Sequence, residues 1–505
     1  MGKLSVAALS ALVLVHNASA LEPIIMKGTK FFYTNGTQFF MKGIAYQQDT
    51  AAAGGESVTG EYKDPLADEA ACRRDIPILV EAGTNTIRTY AIDPKNDHSA
   101  CMKILDDAGI YVVSDLETPQ WNTELYDRYT SVIDALAQYD NTIGFFAGNE
   151  VSNDKSNTEA STFVKAAVCD IKKHIKEKGY RWIGVGYAAN DDKDICANSA
   201  YYFNCGDQAA AIDFWGYNIY LWYGENTLNY SVPVFFAEYE CNKPGGGDNR
   251  IFQETTALYK KEMTDVFSGG IVCMFHQETN DFGLVEIKDG QARAMKNYYE
   301  LASRVLAANP TAIQMDSYEP SNPPAECPST ASNWEVQGDT LPPTPDKYLC
   351  ECMVKSLTCI PKPNMEAEAI GDIFGFVCGA SSDSCEGINT DPYTGVYRAF
   401  SMCSDEQKLA YVMNDYYKVQ KSARAACDYN GQGEIVSPSA DDTCKKALAS
   451  VTATTSASST AKPSSSSTGN AAAGSPYQAV FNLGGFAIGA YLIASGCVGA
   501  AIIAL

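Results

Sequence analysis

Eight short apolar runs recur along residues 24–310, and stretches with helical periodicity separate most of them. Apolar runs of four to eight residues are typical of strands that are buried on both faces. Strands that alternate with helices indicate parallel pairing. The strand candidates are Phe39–Ala45, Asn85–Tyr90, Ile110–Asp115, Ile143–Asn149, Trp182–Tyr187, Ile212–Tyr217, Pro233–Glu238 and Gly270–Phe275. The helix candidates are Leu66–Ala82, Ser99–Ala108, Glu124–Gln138, Thr158–Lys178, the weaker Ile195–Phe203, Arg250–Phe267 and Ala292–Ala307.

This alternation predicts an α/β fold, a (β/α)8 or TIM barrel over residues 21–315. Such barrels typically need ~250 residues and have eight parallel strands. An open, doubly wound sheet is the alternative architecture. That fold commonly carries a glycine-rich phosphate loop after its first strand, and none follows the first strand here. The barrel is therefore the favoured prediction.

Both ends of the chain have the composition of targeting segments. Residues 1–20 combine Lys3, an apolar core and Ala18-Ser19-Ala20, which predicts a cleaved secretory signal peptide. The last residues, 480–505, are apolar and uncharged. Roughly 20 apolar residues can span a bilayer, so a membrane helix is one interpretation of this tail. Small residues before the tail and the lack of a basic flank favour a glycosylphosphatidylinositol (GPI) signal, with attachment at Asn470 and removal of residues 471–505.

Secretion makes the cysteines interpretable as disulfides. The chain has 17 cysteines, and 16 remain once Cys497 is removed with the tail. Eight of them fall between Cys350 and Cys444, which predicts a small, disulfide-rich, mainly helical module at residues 347–446. Residues 316–346 before it form a Pro-rich linker, and residues 447–470 after it form a Ser/Thr-rich stalk. The spacing of Cys350 and Cys352 does not suit zinc, and we expect no metal and no cofactor.

The net charge of −23 argues against nucleic acid and anionic lipid surfaces as partners. The tripeptides that begin at Asn35 and Asn229 are acceptors for N-glycosylation in a secreted chain. Charge and targeting together predict a protein of the cell surface, held at the outer leaflet of the plasma membrane through a GPI anchor or located in the cell wall.

Two glutamates follow apolar strands, Glu150 after the fourth and Glu238 at the end of the seventh. Functional groups of TIM barrels lie at the carboxyl ends of strands. A salt bridge at the barrel rim would explain either glutamate alone, but two such ends together indicate glycoside chemistry. Retaining glycosidases hold their carboxyl groups ~5–5.5 Å apart and inverting ones ~6.5–9.5 Å apart. The sequence leaves this separation open.

We assign the acid/base role to Glu150, because burial and the charge of Glu238 should raise the pKa of its carboxyl group. Glu238 is then the nucleophile, and Asn149 is placed to bind the sugar 2-hydroxyl. Other strand ends supply polar and aromatic groups, at Tyr46–Asp49, Arg88–Tyr90, Asp115, Tyr217–Tyr220 and Gln277–Glu278. Five aromatic residues are either platforms for sugar rings or core residues: Tyr90, Trp121, Tyr220, Trp222 and Tyr223.

Several motifs resemble the fungal cell-wall β-1,3-glucanosyltransferases of glycoside hydrolase family 72. They are the run Lys30–Gln47, Asn85–Tyr90, Gly148-Asn-Glu150, Gly186–Asp191, Phe235–Tyr239 and Gln277–Val285. The resemblance implies a retaining mechanism, with Glu150 as acid/base and Glu238 as nucleophile. It further implies that the donor site is lined by Gln47, Tyr90, Asp115, Asn149 and Tyr220, and the acceptor side by Asn190 and Asp191.

The cysteine-rich segment resembles the carbohydrate-binding module of family 43. Its matching pieces include Cys350-x-Cys352, Phe374–Gly379 and Thr394–Tyr397. The two resemblances imply the disulfides Cys72–Cys101, Cys205–Cys327, Cys350–Cys403, Cys352–Cys444, Cys359–Cys427 and Cys378–Cys385. The second of these should hold the barrel and the module together as a rigid pair. For the cysteines left over we predict Cys169–Cys196 and Cys241–Cys273.

The sequence departs from the family pattern at two positions. Tyr223 stands where the family commonly has a cysteine, so Cys241 loses its usual partner. Phe275 stands where the family usually has a tyrosine, so it has no hydroxyl to offer the nucleophile. The resemblance therefore implies an enzyme that elongates wall glucan by cleaving β-1,3-glucan and transferring the new reducing end to a second glucan chain. A β-1,3-glucan hydrolase with the same residues and a non-catalytic glucan-binding wall protein are the alternatives.

Overall fold

The computed structural model describes residues 21–48, 63–116, 121–219, 230–239, 242, 245–338 and 340–458. The predicted signal peptide, the attachment tail and Asn470 lie outside these ranges, as do Asn229, Tyr220, Trp222, Tyr223 and Cys241. Among the described residues, no helix has both the length and the apolar character needed to cross a bilayer.

A three-stranded antiparallel sheet precedes the barrel and covers the amino ends of its strands. Its strands are β1 (Ile25–Lys27), β2 (Lys30–Phe32) and β3 (Gln38–Phe39). Phe31 is fully buried and packs on the rings of Phe214 and Phe235, which lie inside the barrel. The sheet therefore closes the bottom of the barrel and leaves the other end as its mouth.

Eight parallel strands form a closed barrel, which confirms the predicted fold class. They are β4 (Met41–Ala45), β5 (Thr86–Thr89), β6 (Tyr111–Asp115), β7 (Thr142–Asn149), β8 (Gly184–Ala189), β9 (Phe214–Ile219), β10 (Val234–Tyr239) and β11 (Phe267–Val272). They pair in sequence order, and β11 closes the ring on β4. Each strand was predicted at the right place with ends displaced by a few residues. Closure leaves no strand edge unpaired.

Helices surround the barrel and cover its outer face. They are α1 (Glu69–Glu81), α2 (Ser99–Asp107), α3 (Thr123–Leu136), α4 (Ala160–Glu177), α5 (Cys196–Asn204), α6 (Gln253–Leu258), α7 (Lys261–Thr264) and α8 (Lys296–Ala307). Side chains alternate along a strand, so the strands feed two apolar layers. One layer fills the barrel interior and the other lies between strands and helices. Side-chain caps begin two helices, Asp68 for α1 and Asn122 for α3.

The predicted helix over residues 250–267 is wrong, because two short helices and the start of β11 occupy this stretch. Tyr259, between the two helices, is buried and donates its hydroxyl to Met41 O at 2.6 Å. β11 begins at Phe267 and pairs with β4 through Gly269, where a Cβ would lie 2.0 Å from Met41 O. Packing onto the barrel thus overrides the helical periodicity of this segment.

The predicted helix over residues 292–307 begins later than expected. Strands β12 (Val285–Lys288) and β13 (Gln291–Ala294) form a hairpin before α8. Its turn is Asp289-Gly290, with φ angles of 52° and 75°. Asp-Gly is a strong signal for a two-residue hairpin turn, and the helical pattern of the following residues concealed it.

The cysteine-rich module is mainly helical, as predicted. Its helices are α9 (Lys347–Lys355), α10 (Ala367–Ala380), α11 (Asp405–Val419) and α12 (Asp442–Ser458). Its short strands are β14 (Cys359–Pro361), β15 (Thr390–Asp391), β16 (Val396–Tyr397) and β17 (Gly433–Ile435). The module also has 3-10 helices at Ser382–Ile388, Arg424–Cys427 and Tyr429–Gly431, and two more lie before it, at Gly247–Asn249 and Met315–Ser317. Helix α12 continues into residues that we predicted as stalk.

The structure contains all six disulfides that the resemblances implied. The predicted pair Cys169–Cys196 is wrong, since both are free thiols. Cys169 lies within α4, whereas Cys196 begins α5, where Tyr217 makes a side-chain hydrogen bond to it. Cys273 is disulfide-bonded, and the predicted partner Cys241 lies outside the described residues.

The barrel and the module share an interface with several kinds of contact. The disulfide Cys205–Cys327 joins the connecting segment to the barrel, and Trp334 of that segment is fully buried 5.4 Å from the ring of Tyr202. The hydroxyl groups of Thr162 and Tyr397 lie 2.9 Å apart across the interface. These contacts support the expectation that the two domains form a rigid pair.

Candidate active site

Six polar side chains meet at the mouth of the barrel, because parallel strands all end there. They are Arg88 of β5, Asp115 of β6, Asn149 of β7, Glu150 directly after β7, Asn218 of β9 and Glu238 of β10. Arg88 and Glu238 are completely buried, and Glu150 is 6% exposed. Burial of charged groups on this scale requires paired partners, and the cluster provides them.

Arg88 holds the cluster together. Its Nε and Nη2 atoms donate to the two oxygens of Asp115 at 2.8 and 2.6 Å. Its Nη1 donates to Glu238 Oε1 at 3.1 Å, and Nη2 also donates to Asn149 Oδ1 at 3.0 Å. A planar guanidinium with five donors suits this arrangement. One cation thereby orients the proposed nucleophile and the residue before the proposed acid.

Electrostatics inside the cluster follow from burial and opposite charge. Burial by itself would lower the pKa of Arg88, but Asp115, Tyr90 and Glu238 raise it above its ordinary value. Burial also raises the pKa of Asp115, and Arg88 opposes that change. Tyr90 donates its hydroxyl to Glu238 Oε1 at 3.0 Å, and burial followed by the charge of Glu238 raises its pKa well above the usual value. Tyr90 therefore stays a neutral donor to Glu238.

Glu150 has an unusual backbone conformation that matters for the site. The register of β7 against β8 shifts between Phe146 and Asn149, and Glu150 has a φ of 50°. In a regular strand, neighbouring side chains point to opposite faces. Here both Asn149 and Glu150 contact Asn218. A non-glycine residue in the left-handed region costs about 1–3 kcal/mol, and such strain is concentrated at functional sites.

Asn218 links Asn149 and Glu150 through hydrogen bonds. Its Nδ2 atom donates to Asn149 Oδ1 at 2.9 Å and to Glu150 Oε1 at 2.7 Å. It lies beside Glu238 in the pairing of β9 with β10. A continuous chain of hydrogen bonds thus runs from Glu238 through Arg88, Asn149 and Asn218 to Glu150.

Gln47 is brought to the same mouth but is engaged with the backbone. Its Oε1 accepts from the backbone N–H groups of Tyr90 and Ala91, both at 3.1 Å, and its Nε2 donates to Lys63 O at 2.9 Å. It is fully buried. Gln47 therefore holds the loop after β5 in place, and direct contact with a sugar stays a prediction.

The predicted acceptor residues follow β8. Asn190 donates its amide to Asn153 O at 2.6 Å, and Asp191 is exposed. Among the five aromatic candidates, Trp121 is a core residue, 5% exposed and packed on Tyr126 and Tyr129. Tyr90 lies over Arg88, with the guanidinium carbon 4.7 Å from its ring centre. Tyr220, Trp222 and Tyr223 fall outside the described residues.

Phe275 does not occupy the place beside the nucleophile that its position in the motif suggested. β11 ends at Val272, and Phe275 is buried in the outer apolar layer against the ring of Tyr46, 5.4 Å away. The phenol that donates to Glu238 comes from Tyr90 instead. The absence of a hydroxyl on Phe275 therefore does not deprive Glu238 of a tyrosine donor.

Sequence reasoning assigned no role to Arg88 or Asn218, although both lie in strand ends that it singled out. An arginine inside an apolar strand was the available signal for Arg88, since a buried cation requires carboxylates around it. Across the described ranges, no three His, Cys, Asp or Glu side chains are grouped so as to hold a metal ion.

Comparisons with known proteins agree with this geometry. Residues 13–309 match the family model described as glucanosyltransferase, and residues 357–434 match the X8 domain model. A 1,3-beta-glucanosyltransferase of Arthroderma benhamiae is 48% identical over 468 residues, which cover 85% of each chain. The 1,3-beta-glucanosyltransferase gas1 of Schizosaccharomyces pombe is 39% identical, over 88% of this chain and 85% of that one.

A solved structure gives the same result for the fold. The structure of a Saccharomyces cerevisiae Gas2p mutant in complex with laminaritetraose and laminaripentaose is 36% identical, with a TM-score of 0.75. The likeness covers 86% of this chain and 99% of that one.

Proposed function

Because the chain belongs to the glucanosyltransferase family, we propose that Glu238 and Glu150 cleave β-1,3-glucan with retention and transfer the new reducing end to a second glucan chain. The observation that carries this proposal is the unequal environment of the two carboxyl groups. The Glu238 carboxyl group accepts from the Arg88 cation and the Tyr90 phenol, and the Glu150 carboxyl group accepts from the amide of Asn218.

Glu238 is suited to nucleophilic attack. Arg88 is a permanent positive charge, and an opposite charge at this distance favours the ionised carboxylate. Arg88 and Tyr90 donate to the same oxygen of Glu238, Oε1. They hold the carboxylate in one orientation. A nucleophile needs such a fixed orientation, because it must approach the anomeric carbon in line with the bond that breaks.

Glu150 is suited to acid/base catalysis. The donor from Asn218 is uncharged, and the carboxyl group is nearly buried. Burial and a neighbouring carboxylate both favour the protonated form of such a group. Glu150 therefore supplies a proton to the departing glucan oxygen and recovers one from the incoming acceptor.

Asn149 is suited to bind the donor sugar. Its Oδ1 accepts from both Arg88 and Asn218, so its amide nitrogen is directed to other partners. A hydrogen bond from that nitrogen to the 2-hydroxyl would strengthen as charge develops at the anomeric carbon.

The proposed reaction has two steps, and in each of them one bond to the anomeric carbon forms as another breaks. In the first, Glu238 bonds to the anomeric carbon while the glycosidic bond breaks, and the Glu150 proton passes to the leaving oxygen. In the second, an acceptor hydroxyl oxygen bonds to the anomeric carbon, its proton returns to Glu150, and the ester to Glu238 breaks. Water in place of the acceptor would give hydrolysis with the same residues.

Incubating the secreted enzyme with laminaripentaose and following product length distinguishes these outcomes. We expect products longer than the starting pentasaccharide, because the family is one of transferases. Shorter products alone would indicate a hydrolase. An unchanged substrate would contradict both enzymatic functions and leave glucan binding as the role of the protein.

The cysteine-rich module has a groove that supports a second, binding role. The groove has a volume of about 570 Å³ and lies between α10, α11 and the turn after Cys427. Phe376, Tyr416 and Tyr429 line it, with Asp372, Asp428 and Gln432 beside them. Exposed aromatic faces with polar groups around them suit a carbohydrate. We propose that this groove binds a glucan chain.

The variant Phe376→Ala tests the groove. Phe376 is 55% exposed, so its removal should leave the fold intact while the groove loses its most exposed ring. We expect about 2- to 12-fold weaker binding to insoluble β-1,3-glucan in pull-down assays, since an aromatic contact is worth about 0.5–1.5 kcal/mol. The matched control is Tyr393→Ala, a 51% exposed aromatic residue outside the groove. Equal binding by both variants would rule the groove out.

We also propose that the chain is secreted and held at the outer leaflet by a GPI anchor at Asn470. The six disulfides support an oxidising compartment. Asn35 lies exposed in the turn between β2 and β3, where a glycan can be attached. Release from intact cells by a phosphatidylinositol-specific phospholipase tests the anchor, and retention after treatment would contradict it.

A further inference from the structure

Asn218 uses both hydrogens of its amide inside the active site, and we propose that it determines which oxygen of Glu150 carries the catalytic proton. The assignment rests on the proposed role of Glu150 as acid/base. Asn218 does not touch the reacting atoms in this arrangement, so it acts as a positioning residue through Glu150.

The orientation of the Asn218 amide follows from its neighbours. Arg88 has donors only, so Asn149 must present its oxygen to Arg88 Nη2 at 3.0 Å. The same oxygen lies 2.9 Å from Asn218, which must therefore present its nitrogen. The buried cation thus sets the direction of every hydrogen bond along the chain as far as Glu150.

The second hydrogen of the amide is donated to Glu150 Oε1 at 2.7 Å. A protonated carboxyl group has one hydroxyl oxygen and one carbonyl oxygen. A proton on Oε1 would meet the N–H of Asn218, whereas a proton on Oε2 leaves Oε1 free to accept. The acid therefore carries its proton on Oε2, and in this proposal Oε2 passes that proton to the leaving oxygen.

The same hydrogen bond persists through both steps. When Oε2 gives its proton to the leaving glucan oxygen, Glu150 becomes a carboxylate and the bond from Asn218 becomes charge-assisted. When the acceptor hydroxyl returns a proton to Oε2, the original state is restored. Asn218 is 1% exposed, and packing in β9 keeps it in place meanwhile.

The groups around Glu150 include other charges that influence its protonation. The negative charges of Glu238 from β10 and Asp115 from β6 favour the protonated form of Glu150. The positive charge of Arg88 from β5 favours its ionised form. Tyr187 from β8 is a neutral phenol whose pKa is raised by burial. Asn218 favours the ionised form, because it donates to it. Its loss should therefore move the alkaline limb of the kcat/KM profile to higher pH.

The test compares two glycosyl donors, laminaripentaose and β-laminaribiosyl fluoride, as substrates of the full-length Asn218→Ala variant. Laminaripentaose needs a proton on its leaving oxygen, whereas the fluoride of β-laminaribiosyl fluoride departs with little protonation. Azide as acceptor removes the need for a base in the second step. We expect kcat/KM to fall about 10²-fold on laminaripentaose and less than about 3-fold on the fluoride with azide, with the alkaline limb moved upward.

Two further variants keep the result decisive. Asn218→Asp has the same shape, but it replaces the hydrogen-bond donor by an acceptor. It should show the same difference in kcat/KM between laminaripentaose and the fluoride. Asn85→Ala removes a side chain that bonds Phe40 O and Lys42 N at the opposite end of the barrel. It should lower Tm without separating the two donors.

Equal losses on both donors, or an unmoved alkaline limb, would overturn the proposal. Unreduced activity on laminaripentaose in both Asn218 variants would overturn it as well. If the proposed function itself is wrong, the wild-type enzyme will turn over neither laminaripentaose nor the fluoride, and this result is distinct from any difference between the variants.

Discussion

The Glu238→Gln variant should lose at least about 10⁴-fold of kcat/KM on laminaripentaose while remaining folded. An amide cannot form the ester through which a retaining enzyme works. Arg88 keeps its two hydrogen bonds to Asp115 in this variant, so the buried cation is still paired. Chromatography of the products and thermal unfolding measure the two parts of this expectation.

The matched control for this experiment is Glu286→Gln, an exposed glutamate in the β12–β13 hairpin. It should keep wild-type activity. The companion variant Glu238→Gly should use α-laminaribiosyl fluoride to elongate an added acceptor, because that fluoride has the configuration of the covalent intermediate. Activity of Glu238→Gln above about 1% of wild type would show that another group attacks the anomeric carbon.

The Glu150→Gln variant should lose about 10²- to 10⁴-fold on laminaripentaose, the usual contribution of general acid–base catalysis. The amide cannot donate a proton of comparable acidity or accept one from the acceptor sugar. With β-laminaribiosyl fluoride and azide, neither task is needed, so fluoride release should remain near the wild-type rate. The product should be the β-azide, since attack on the ester to Glu238 retains the configuration.

A similar loss on both donors would remove Glu150 from the acid/base role. The structural contribution of the side chain can be judged separately, because glutamine keeps an oxygen for Asn218 to bond. Thermal unfolding of Glu150→Gln should thus remain close to that of the wild type.

The barrel and its two carboxylates could be predicted because they depend on local patterns. Buried parallel strands give continuous apolar runs, and a carboxylate after such a run stands out. Glu150 and Glu238 were found in this way. The roles of Arg88 and Asn218 depend on which strand ends face one another across the mouth, and a single strand does not contain that information.

Other features could not be predicted from the sequence, because tertiary packing competes with the local preference for secondary structure. The stretch 250–267 has helical periodicity, yet Tyr259 and Gly269 tie it to β4. The bulge that turns both Asn149 and Glu150 toward Asn218 arises from register against β8. Cys169 and Cys196 were paired by elimination, which carries no information about distance.

The chain of hydrogen bonds between Glu238 and Glu150 has a consequence for the charge of the site during turnover. In the proposed mechanism, esterification removes the negative charge of Glu238 at the moment when loss of a proton places one on Glu150. The sum over Arg88, Asp115, Glu238 and Glu150 is therefore the same before and after each step. The buried site does not have to exchange an ion with solvent, and only the direction of its dipole reverses between the two half-reactions.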